Sequence, residues 1–214
     1  METEKPSPSQ QRRARQQQKT RQMILDHATR VLLKHGVDGF SMRKLADRIG
    51  YSPTAIYFHF ADKDSLLGEV VERQFMTFRG MFEKVERIKE PLRRLVEMGM
   101  TVVEFGLRHP DSFRLMFLQS HPTIPKGRLV ERGNPSQDCY AFLLSTVCEA
   151  LEAGQFRPEL KDAEQLAQIF FAAVHGVVTV HLVKGDDPWI DWRPVKPKAR
   201  ILVEGLVRGL SRSG

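Results

Sequence analysis

Residues 42–61 read MRKLADRIGYSPTAIYFHFA, and this stretch decides the fold. Ala46 places a small residue where two helices meeting at a steep angle would touch, and Gly50 tolerates the positive φ that a tight turn requires. Three apolar side chains then point inward and lock the pair: Leu45, Ile49 and Ile56. Residues of these types at these offsets are typical of a helix-turn-helix. An ordinary pair of helices that binds no ligand has the same spacing and stays an alternative.

The second helix of this unit, near residues 53–59, begins with small side chains. A helix that enters the major groove needs small residues near its N-terminus, because its backbone must approach the base edges. Ser41 and Ser52 are predicted to cap the two helices, and Pro53 suits a first helical position. The candidate DNA-binding residues are Ser41, Arg43, Lys44, Ser52, Thr54, Ala55, Tyr57, His59 and Lys63.

The basic charge of the chain is concentrated in its first third. Residues 1–63 carry 12 Lys and Arg against 6 Asp and Glu, whereas residues 64–214 carry 21 against 20. This asymmetry indicates a polyanion partner for the N-terminal part; a solvated basic face is the alternative. Residues 11–21, QRRARQQQKTR, add five basic residues. They either contact DNA, along its backbone or in a minor groove, or only keep the chain soluble.

Residues 36–67, GVDGFSMRKLADRIGYSPTAIYFHFADKDSLL, resemble the N-terminal signature of the TetR family of bacterial repressors. The matching motifs are G-x-x-x-x-[ST] before the unit, L-A in its first helix, G-[VY]-S at its turn, and then Y-x-H-F and K-x-x-L-L. The resemblance implies a DNA-binding homodimer, a recognition helix near residues 52–58, and a C-terminal domain that binds an inducer.

The same resemblance assigns roles by position. Tyr57, His59 and Lys63 fall where phosphate contacts are expected. Thr54 and Ala55 fall where base contacts are usual. Arg43 falls where a groove or phosphate contact is common.

The chain as a whole is expected to be all-α, because its apolar residues recur at intervals of three and four. We expect a disordered basic arm over residues 1–16, a helix-turn-helix domain over 17–64, and a helical ligand-binding and dimerisation domain over 65–214. The predicted helices span about 17–35, 42–49, 53–59, 90–108, 111–119, 135–154, 162–184 and 195–211, with one more that begins after Asp62.

Residues 166–183 form an apolar stretch about long enough to cross a bilayer. The stretch contains polar side chains that are costly in lipid: Gln168, His175, Thr179 and His181. We therefore expect a helix buried on nearly all sides within the protein, and no membrane partner. The start of the chain has no apolar signal-peptide core, so we expect a cytoplasmic location.

Small residues mark two helices of the C-terminal part. Ala172 and Gly176 are four residues apart, and Gly205 and Gly209 repeat that interval. Such spacing lets helices approach closely, so two helices from each subunit would build a four-helix dimer interface; packing within one subunit is the alternative. Residues 172–178, AAVHGVV, are also similar to the A-x-x-H-G motif of one TetR C-terminal subfamily, although its usual preceding Trp is absent.

Phenylalanine and methionine are concentrated on the central helices. Such residues can line an adaptable pocket for a small hydrophobic ligand, or they can be plain core. His175 is the best polar candidate for orienting a ligand, and a satisfied core histidine is the alternative. The candidate ligand-binding residues are Met98, Val102, Phe105, Phe113, Phe117, Phe142, Phe171 and His175.

No enzyme motif stands out in the sequence. Ser145, Asp162 and His175 lie in no strained-turn motif, and no phosphate loop, metal-ligand spacing or cofactor motif is present. We therefore expect no catalytic residues, no metal and no cofactor. The sequence predicts a transcriptional regulator, a repressor released from its operator by a small hydrophobic ligand. The alternatives are a DNA-binding protein of the same fold without an inducer and, third, an enzyme that uses the apolar pocket.

Overall fold

The structure, a computed structural model, describes residues 7–119 and 130–212. Its regular elements there are helices, with one isolated β-bridge between Phe156 and Ser211, which confirms the all-α prediction. The helices are α1 (Pro8–His35), α2 (Met42–Ile49), α3 (Pro53–Tyr57), α4 (Lys63–Gly80), α5 (Pro91–Arg108), α6 (Pro110–Phe113), a π-turn (Arg114–Leu118), α7 (Cys139–Glu152), α8 (Ala163–Lys184) and α9 (Val195–Leu210).

The described chain divides into two compact units. The N-unit comprises residues 7–72 with Gln119. The C-unit comprises residues 73–118 and 130–212. Helix α4 crosses the division, so its first half belongs to the N-unit and its second half to the C-unit.

Helix α1 is longer than the sequence pattern predicts. The expected disorder over residues 1–16 is wrong for residues 8–16, which are helical; residues 1–6 lie outside the described residues. The Ser7 hydroxyl accepts from the Gln10 N–H at 3.3 Å, and the Gln10 side chain accepts from the Ser7 N–H at 2.7 Å. This capping box, with Pro8 at the first helical position, starts the helix, and the Gln and Arg residues that follow are good helix formers.

The core of the N-unit is built where the sequence predicts it. Helix α1 buries Ile24, Leu25, Ala28 and Leu32. Leu45, Ala46 and Ile56 are each at most 1% exposed, whereas Ile49 is only partly buried. These side chains hold α2 and α3 against α1.

Helix α5 is the centre of the C-unit and packs against α7, α8 and α9. Two glycines permit the closest approaches. A Cβ on Gly106 would overlap Val178 of α8, and a Cβ on Gly99 would lie 3.1 Å from Val203 of α9. At Gly106 only hydrogen fits, whereas at Gly99 an added methyl group would require Val203 and Val174 to shift by a few tenths of an ångström. Helix α5 therefore packs closely on both α8 and α9.

Helix α8 is the one described helix that is long and apolar enough to cross a membrane by length and composition. It buries Leu166, Ala167, Phe170, Val174 and Val178 in the core of the C-unit, which is the pattern of a core helix. The prediction of burial on nearly all sides is wrong, however. Only one face is covered, and the opposite face is exposed because no described element packs on it.

Candidate nucleic-acid interface and ligand cavity

Helix α3 is short, capped and exposed along one side. The Ser52 hydroxyl accepts a hydrogen bond from the Ala55 N–H at 3.2 Å, as predicted. Ile56 is fully buried and anchors the helix, while Thr54 is exposed and Ala55 is partly buried. The first turn therefore offers a small, accessible surface, which is the condition on which entry into a major groove depends.

The turn between α2 and α3 adopts the conformation that the sequence predicts. Gly50 has φ 70° and ψ 30°, in the left-handed region. The Tyr51 N–H donates to the Ala46 carbonyl at 3.0 Å, and Ala46 is completely buried. The angle at which α3 leaves α2 is thus set by backbone hydrogen bonds and by the small side chain at the crossing.

The basic side chains predicted on α2 are available to a ligand. Arg43 and Lys44 are both exposed in its first turn. The Ser41 hydroxyl is already used as the helix cap, because it accepts from the Lys44 N–H at 3.1 Å. A Ser41 contact with phosphate would therefore be made by the hydroxyl as a donor.

Lys63 is partly engaged within the N-unit. Its Nζ donates to the Val37 carbonyl at 3.2 Å and lies 5.9 Å from the centre of the Phe40 ring. Two further ammonium hydrogens can still meet a phosphate. One backbone N–H group in the first turn of α4 is already bonded, because the Asp62 carboxylate accepts from the Ser65 N–H at 2.7 Å.

The surroundings of His59 disfavour its protonated form. Burial, and after it the positive charge of Arg21, lower the pKa of His59 below its ordinary value. Arg21 itself is fixed, since its guanidinium donates to Glu69 at 2.7 Å and lies 4.5 Å from the centre of the Phe60 ring. Of the five basic residues at 11–21, this one is structural, and the four exposed ones are Arg12, Arg13, Arg15 and Lys19.

Three exposed aromatic rings lie on α3 or next to its ends in the sequence. Tyr51 is 38% exposed, Tyr57 51% and Phe58 70%. The exposure of Phe58 was missed by the sequence reasoning, although a signal was present. Phe58 and Phe60 are two residues apart, and since Phe60 is buried, the other ring is left in solvent. An apolar ring there can pack on a sugar face beside the phosphates.

The small residues predicted at a dimer interface lie on the uncovered faces of α8 and α9. Ala172, Gly176, Gly205 and Gly209 are all exposed. A Cβ on any of the three glycines would meet no described atom within 4 Å. Large apolar side chains are also exposed on these helices: Ile169, Val180, Val183, Ile201 and Leu202. The described structure therefore gives these residues no packing partner within one subunit.

The C-unit contains a cavity of about 340 Å³. Helices α4, α5, α7 and α8 and the π-turn form its walls. Five of the predicted ligand-binding residues line it: Met98, Val102, Phe117, Phe171 and His175. The lining residues outside this candidate set are Phe75, Phe78, Phe82, Leu95, Gly99, Asp138, Cys139, Tyr140, Leu143, Phe170 and Val174.

The other three predicted residues belong to the hydrophobic core and do not line the cavity. Phe105 is 1% exposed and packs 4.6 Å from the Phe78 ring. Phe113 is fully buried behind Phe117, with the ring centres 4.8 Å apart. Phe142 packs under the Arg79 guanidinium at 5.0 Å.

His175 has one satisfied and one unsatisfied ring nitrogen. Its Nδ1 lies 2.8 Å from the Phe171 carbonyl oxygen, whereas its Nε2 is buried and meets no hydrogen-bonding group of the described chain. The ring stacks on Phe171 at 3.7 Å between centres. Burial lowers the pKa of His175 to about 4, so the imidazole is neutral. Because Nε2 has no partner among the described residues, the alternative of a fully satisfied core histidine is wrong.

The remaining polar groups of the cavity wall are already engaged or neutral. The Tyr140 hydroxyl donates to Glu164 at 2.7 Å. The Asp138 carboxylate accepts from the backbone N–H groups of Tyr140 and Gly133. Burial raises the pKa of the Cys139 thiol to about 12, against the opposing influence of Arg79, so this thiol stays protonated.

Comparison with protein families matches both units. Residues 24–70 match the model of bacterial regulatory proteins of the tetR family. Residues 95–191 match the model of the tetracyclin repressor-like C-terminal domain.

Individual relatives agree with these matches. The chain is 36% identical to the HTH-type transcriptional repressor AcnR of Corynebacterium glutamicum, over 63% of this chain and 79% of that protein. It is 25% identical to the HTH-type transcriptional regulator TtgR of Pseudomonas putida, over 81% of this chain and 89% of that protein. A TetR family regulator from Marinobacter aquaeolei has the same fold, with a TM-score of 0.67 at 20% identity, covering 93% of this chain and 100% of that one.

Proposed function

Because this chain belongs to the TetR family and is a DNA-binding transcriptional regulator, we propose that it is a repressor, bound to its operator as a homodimer and released by a small hydrophobic ligand. The proposal depends on two features that occur together. Helix α3 of the N-unit is exposed and carries small side chains in its first turn, and the C-unit contains an apolar cavity. A DNA-binding protein without an inducer has no need of such a cavity.

On the DNA side, Thr54 and Ala55 are proposed to meet base edges, because they are the small residues on the accessible first turn of α3. Arg43, Tyr57 and Lys63 are proposed to contact phosphates. The phosphate contacts set register and affinity, and the base contacts set sequence preference.

The exposed faces of α8 and α9 are proposed to form the dimer interface. Two such helices from each subunit bury the exposed apolar side chains against each other, and Gly176 and Gly205 permit close contact. The two copies of α3 must then lie one helical turn of DNA apart, about 34–36 Å, or a multiple of that distance.

Helix α4 is proposed to couple the two activities, because it begins with Lys63 and carries Phe75 and Phe78 into the cavity wall. The ligand must bind the DNA-incompetent state more tightly than the competent one. A coupling free energy of about 1–3 kcal/mol is typical and corresponds to roughly 5–150-fold release.

The DNA contacts are tested by selecting a tight site from a random duplex library and measuring its Kd at several salt concentrations. Lys63→Met removes one phosphate contact, so the slope of log K against log salt should become shallower by about 0.9. Lys161→Met, which removes an exposed lysine of the C-unit, is the matched control and should leave the slope unchanged. A Lys63→Met protein with an unaltered slope and a changed base preference contradicts the assignment.

The dimer is tested by sedimentation with a pair of arginine substitutions. Gly176→Arg places a charge in the proposed interface and should yield monomers. Gly80→Arg alters an exposed glycine of α4 that also has no atom within 4 Å of its Cβ position, and it should remain dimeric. Dimers of equal stability in both variants would place the interface elsewhere.

The relatives named above are transcription regulators, and we propose that this chain likewise has no catalytic role and acts in the cytoplasm. Turnover of a compound bound in the cavity would contradict the first statement. A compound that binds the cavity and leaves operator affinity unchanged would support the alternative of a regulator without an inducer.

A further inference from the structure

We infer that the cavity takes an uncharged aromatic compound that donates a hydrogen bond, from a hydroxyl or an N–H group, to Nε2 of His175. This inference rests on the proposed function, which makes the cavity a ligand site. It adds the chemical class of the ligand and the atom that recognises it.

Nδ1 of His175 carries the proton of the neutral ring, and Nε2 does not. A carbonyl oxygen only accepts hydrogen bonds, so Nδ1, which lies 2.8 Å from the Phe171 oxygen, is the donor. The pKa of about 4 keeps the ring neutral. Nε2 is therefore an acceptor, and it is buried without a donor from the described chain. Leaving such an atom unpaired is costly, so a ligand that supplies the donor recovers the loss.

Aromatic rings surround His175. His175 stacks on Phe171 and meets Phe117 edge to face, with ring centres 4.6 Å apart. Phe75 and Phe78 form T-shaped pairs with Phe117 at 5.7 and 6.0 Å. Aromatic rings favour offset and edge-to-face contacts, so these walls select a planar aromatic body. Nε2 is covered by these packed rings, so the inference includes a movement of the His175 or Phe117 side chain that lets the donor reach it.

The charged groups in and near the cavity disfavour a charged ligand. Asp138 is the one charged side chain among the lining residues, and its carboxylate would repel an anionic ligand. Arg79 is held by the Pro135 carbonyl at 2.7 Å and by Glu86, and so is not free to pair with a ligand carboxylate. A buried charge without a partner is strongly disfavoured. The Asp138 carboxylate accepts backbone N–H groups, so it does not act as a free counter-ion for a cation either.

The test is calorimetry on the full chain with four matched biphenyl probes. The probes are para-phenylphenol, para-methoxybiphenyl, biphenyl para-carboxylate and para-aminomethylbiphenyl. The phenol should bind about tenfold more tightly than its methyl ether, because the two share the biphenyl body and only the phenol donates a hydrogen bond, while the ether carries one additional methyl group. The carboxylate and the amine should both bind more weakly than the phenol.

Two variants locate the recognition. His175→Phe keeps an aromatic ring and removes the acceptor. The preference for the phenol over the ether should therefore disappear, so that the two compounds bind with about equal Kd. His35→Phe makes the same exchange at an exposed histidine of the N-unit, outside the cavity lining, and should keep the tenfold preference. If the preference survives His175→Phe or is lost in His35→Phe, the assignment to Nε2 is overturned.

A second readout does not depend on the variant folding. In protein labelled with nitrogen-15 at histidine, the phenol should shift one buried Nε2 resonance, and the methyl ether should leave it in place. Equal affinity of phenol and ether in the wild-type chain, or tighter binding of the carboxylate or amine, overturns the inference and leaves the ligand site standing. Absence of binding by all four probes overturns the ligand site itself. Phenol binding without release of DNA refutes only the proposed inducer response.

Discussion

Gly106 is the position where the packing of the C-unit is most sensitive to one added methyl group. In Gly106→Ala the new Cβ overlaps Val178 Cγ1 and lies 3.3 Å from Phe113 Cδ2, whereas carbon atoms in good contact are about 3.5–4.0 Å apart. Val178 cannot turn away easily, because a valine in a helix keeps one χ1 rotamer. Helices α5 and α8 must therefore separate.

The expected magnitude follows from two opposing effects. Overpacking of a core costs about 1–3 kcal/mol, and replacing a helical glycine by alanine recovers up to about 1 kcal/mol. Because the overlap with Val178 is severe, the cost lies in the upper part of this range, about 2–3 kcal/mol. The net loss of unfolding free energy is then about 1–2 kcal/mol, which for a chain of this size lowers Tm by roughly 2–8 °C. Since α8 also carries His175, binding of para-phenylphenol should weaken as well.

The assay is thermal unfolding at fixed protein concentration, followed by circular dichroism. Gly80→Ala is the matched control, because its Cβ meets no atom within 4 Å, and it should melt at or above the wild-type temperature. Combining Gly106→Ala with Val178→Ala removes the overlap, so the two changes should show a coupling of at least about 1 kcal/mol. A Gly106→Ala protein that melts no lower than wild type would refute the reasoning.

Three further predictions concern single side chains. Burial lowers the pKa of His175 from 6.5 to about 4. The stability that the neutral ring contributes is therefore present above the pKa of the unfolded state and is lost as pH falls toward the pKa of the folded state. In denaturant titrations, the stability advantage of wild type over His175→Phe should shrink by up to about 3 kcal/mol between neutral pH and about pH 4. Ser52→Ala removes the cap of α3 and should cost about 1 kcal/mol and weaken DNA binding, while leaving the salt slope unchanged; a steeper or shallower slope would show that the hydroxyl also affects phosphate contacts. Arg94→Met should lower the free energy of unfolding by about 1–3 kcal/mol, because the buried guanidinium donates to the Ile88 carbonyl at 2.9 Å and to Glu149. Arg200 lies in an exposed ion pair, so Arg200→Met should lower it by less than about 1 kcal/mol. Equal losses in the two variants would contradict this ranking.

The parts of the fold that could be predicted are those whose determinants are local in sequence. Gly50 and Ala46 identify the α2–α3 turn because φ and side-chain size act within a few residues. The start of α1 could not be found from apolar periodicity, since its signal is a polar cap at Ser7. That cap is legible in the sequence once a Ser and a Gln three residues apart are sought around Pro8.

The candidate cavity was predicted only in part, for a tertiary reason. Apolar side chains on several faces of one helix look alike in sequence, and which face meets empty space depends on how neighbouring helices pack. Phe105 and Phe113 thus proved to be core, while Phe75 and Phe78 proved to be lining. His175 was identified as the best polar candidate among the apolar residues for orienting a ligand. Its unpaired nitrogen results from the packing of the surrounding rings, which the sequence does not show.

The length of α1 has a consequence for how its basic residues tolerate insertions and deletions. Arg12, Arg15 and Lys19 lie at intervals of three and four residues on an ordered helix, so they share one side over about 10 Å. Inserting a single residue after Arg15 would turn both arginines by about 100° relative to Lys19. Replacing one cation by another keeps the three charges on one side of the helix, but inserting or deleting a residue moves them to different sides. We therefore expect the spacing of these charges, more than their identity, to limit how this end of the chain can be altered.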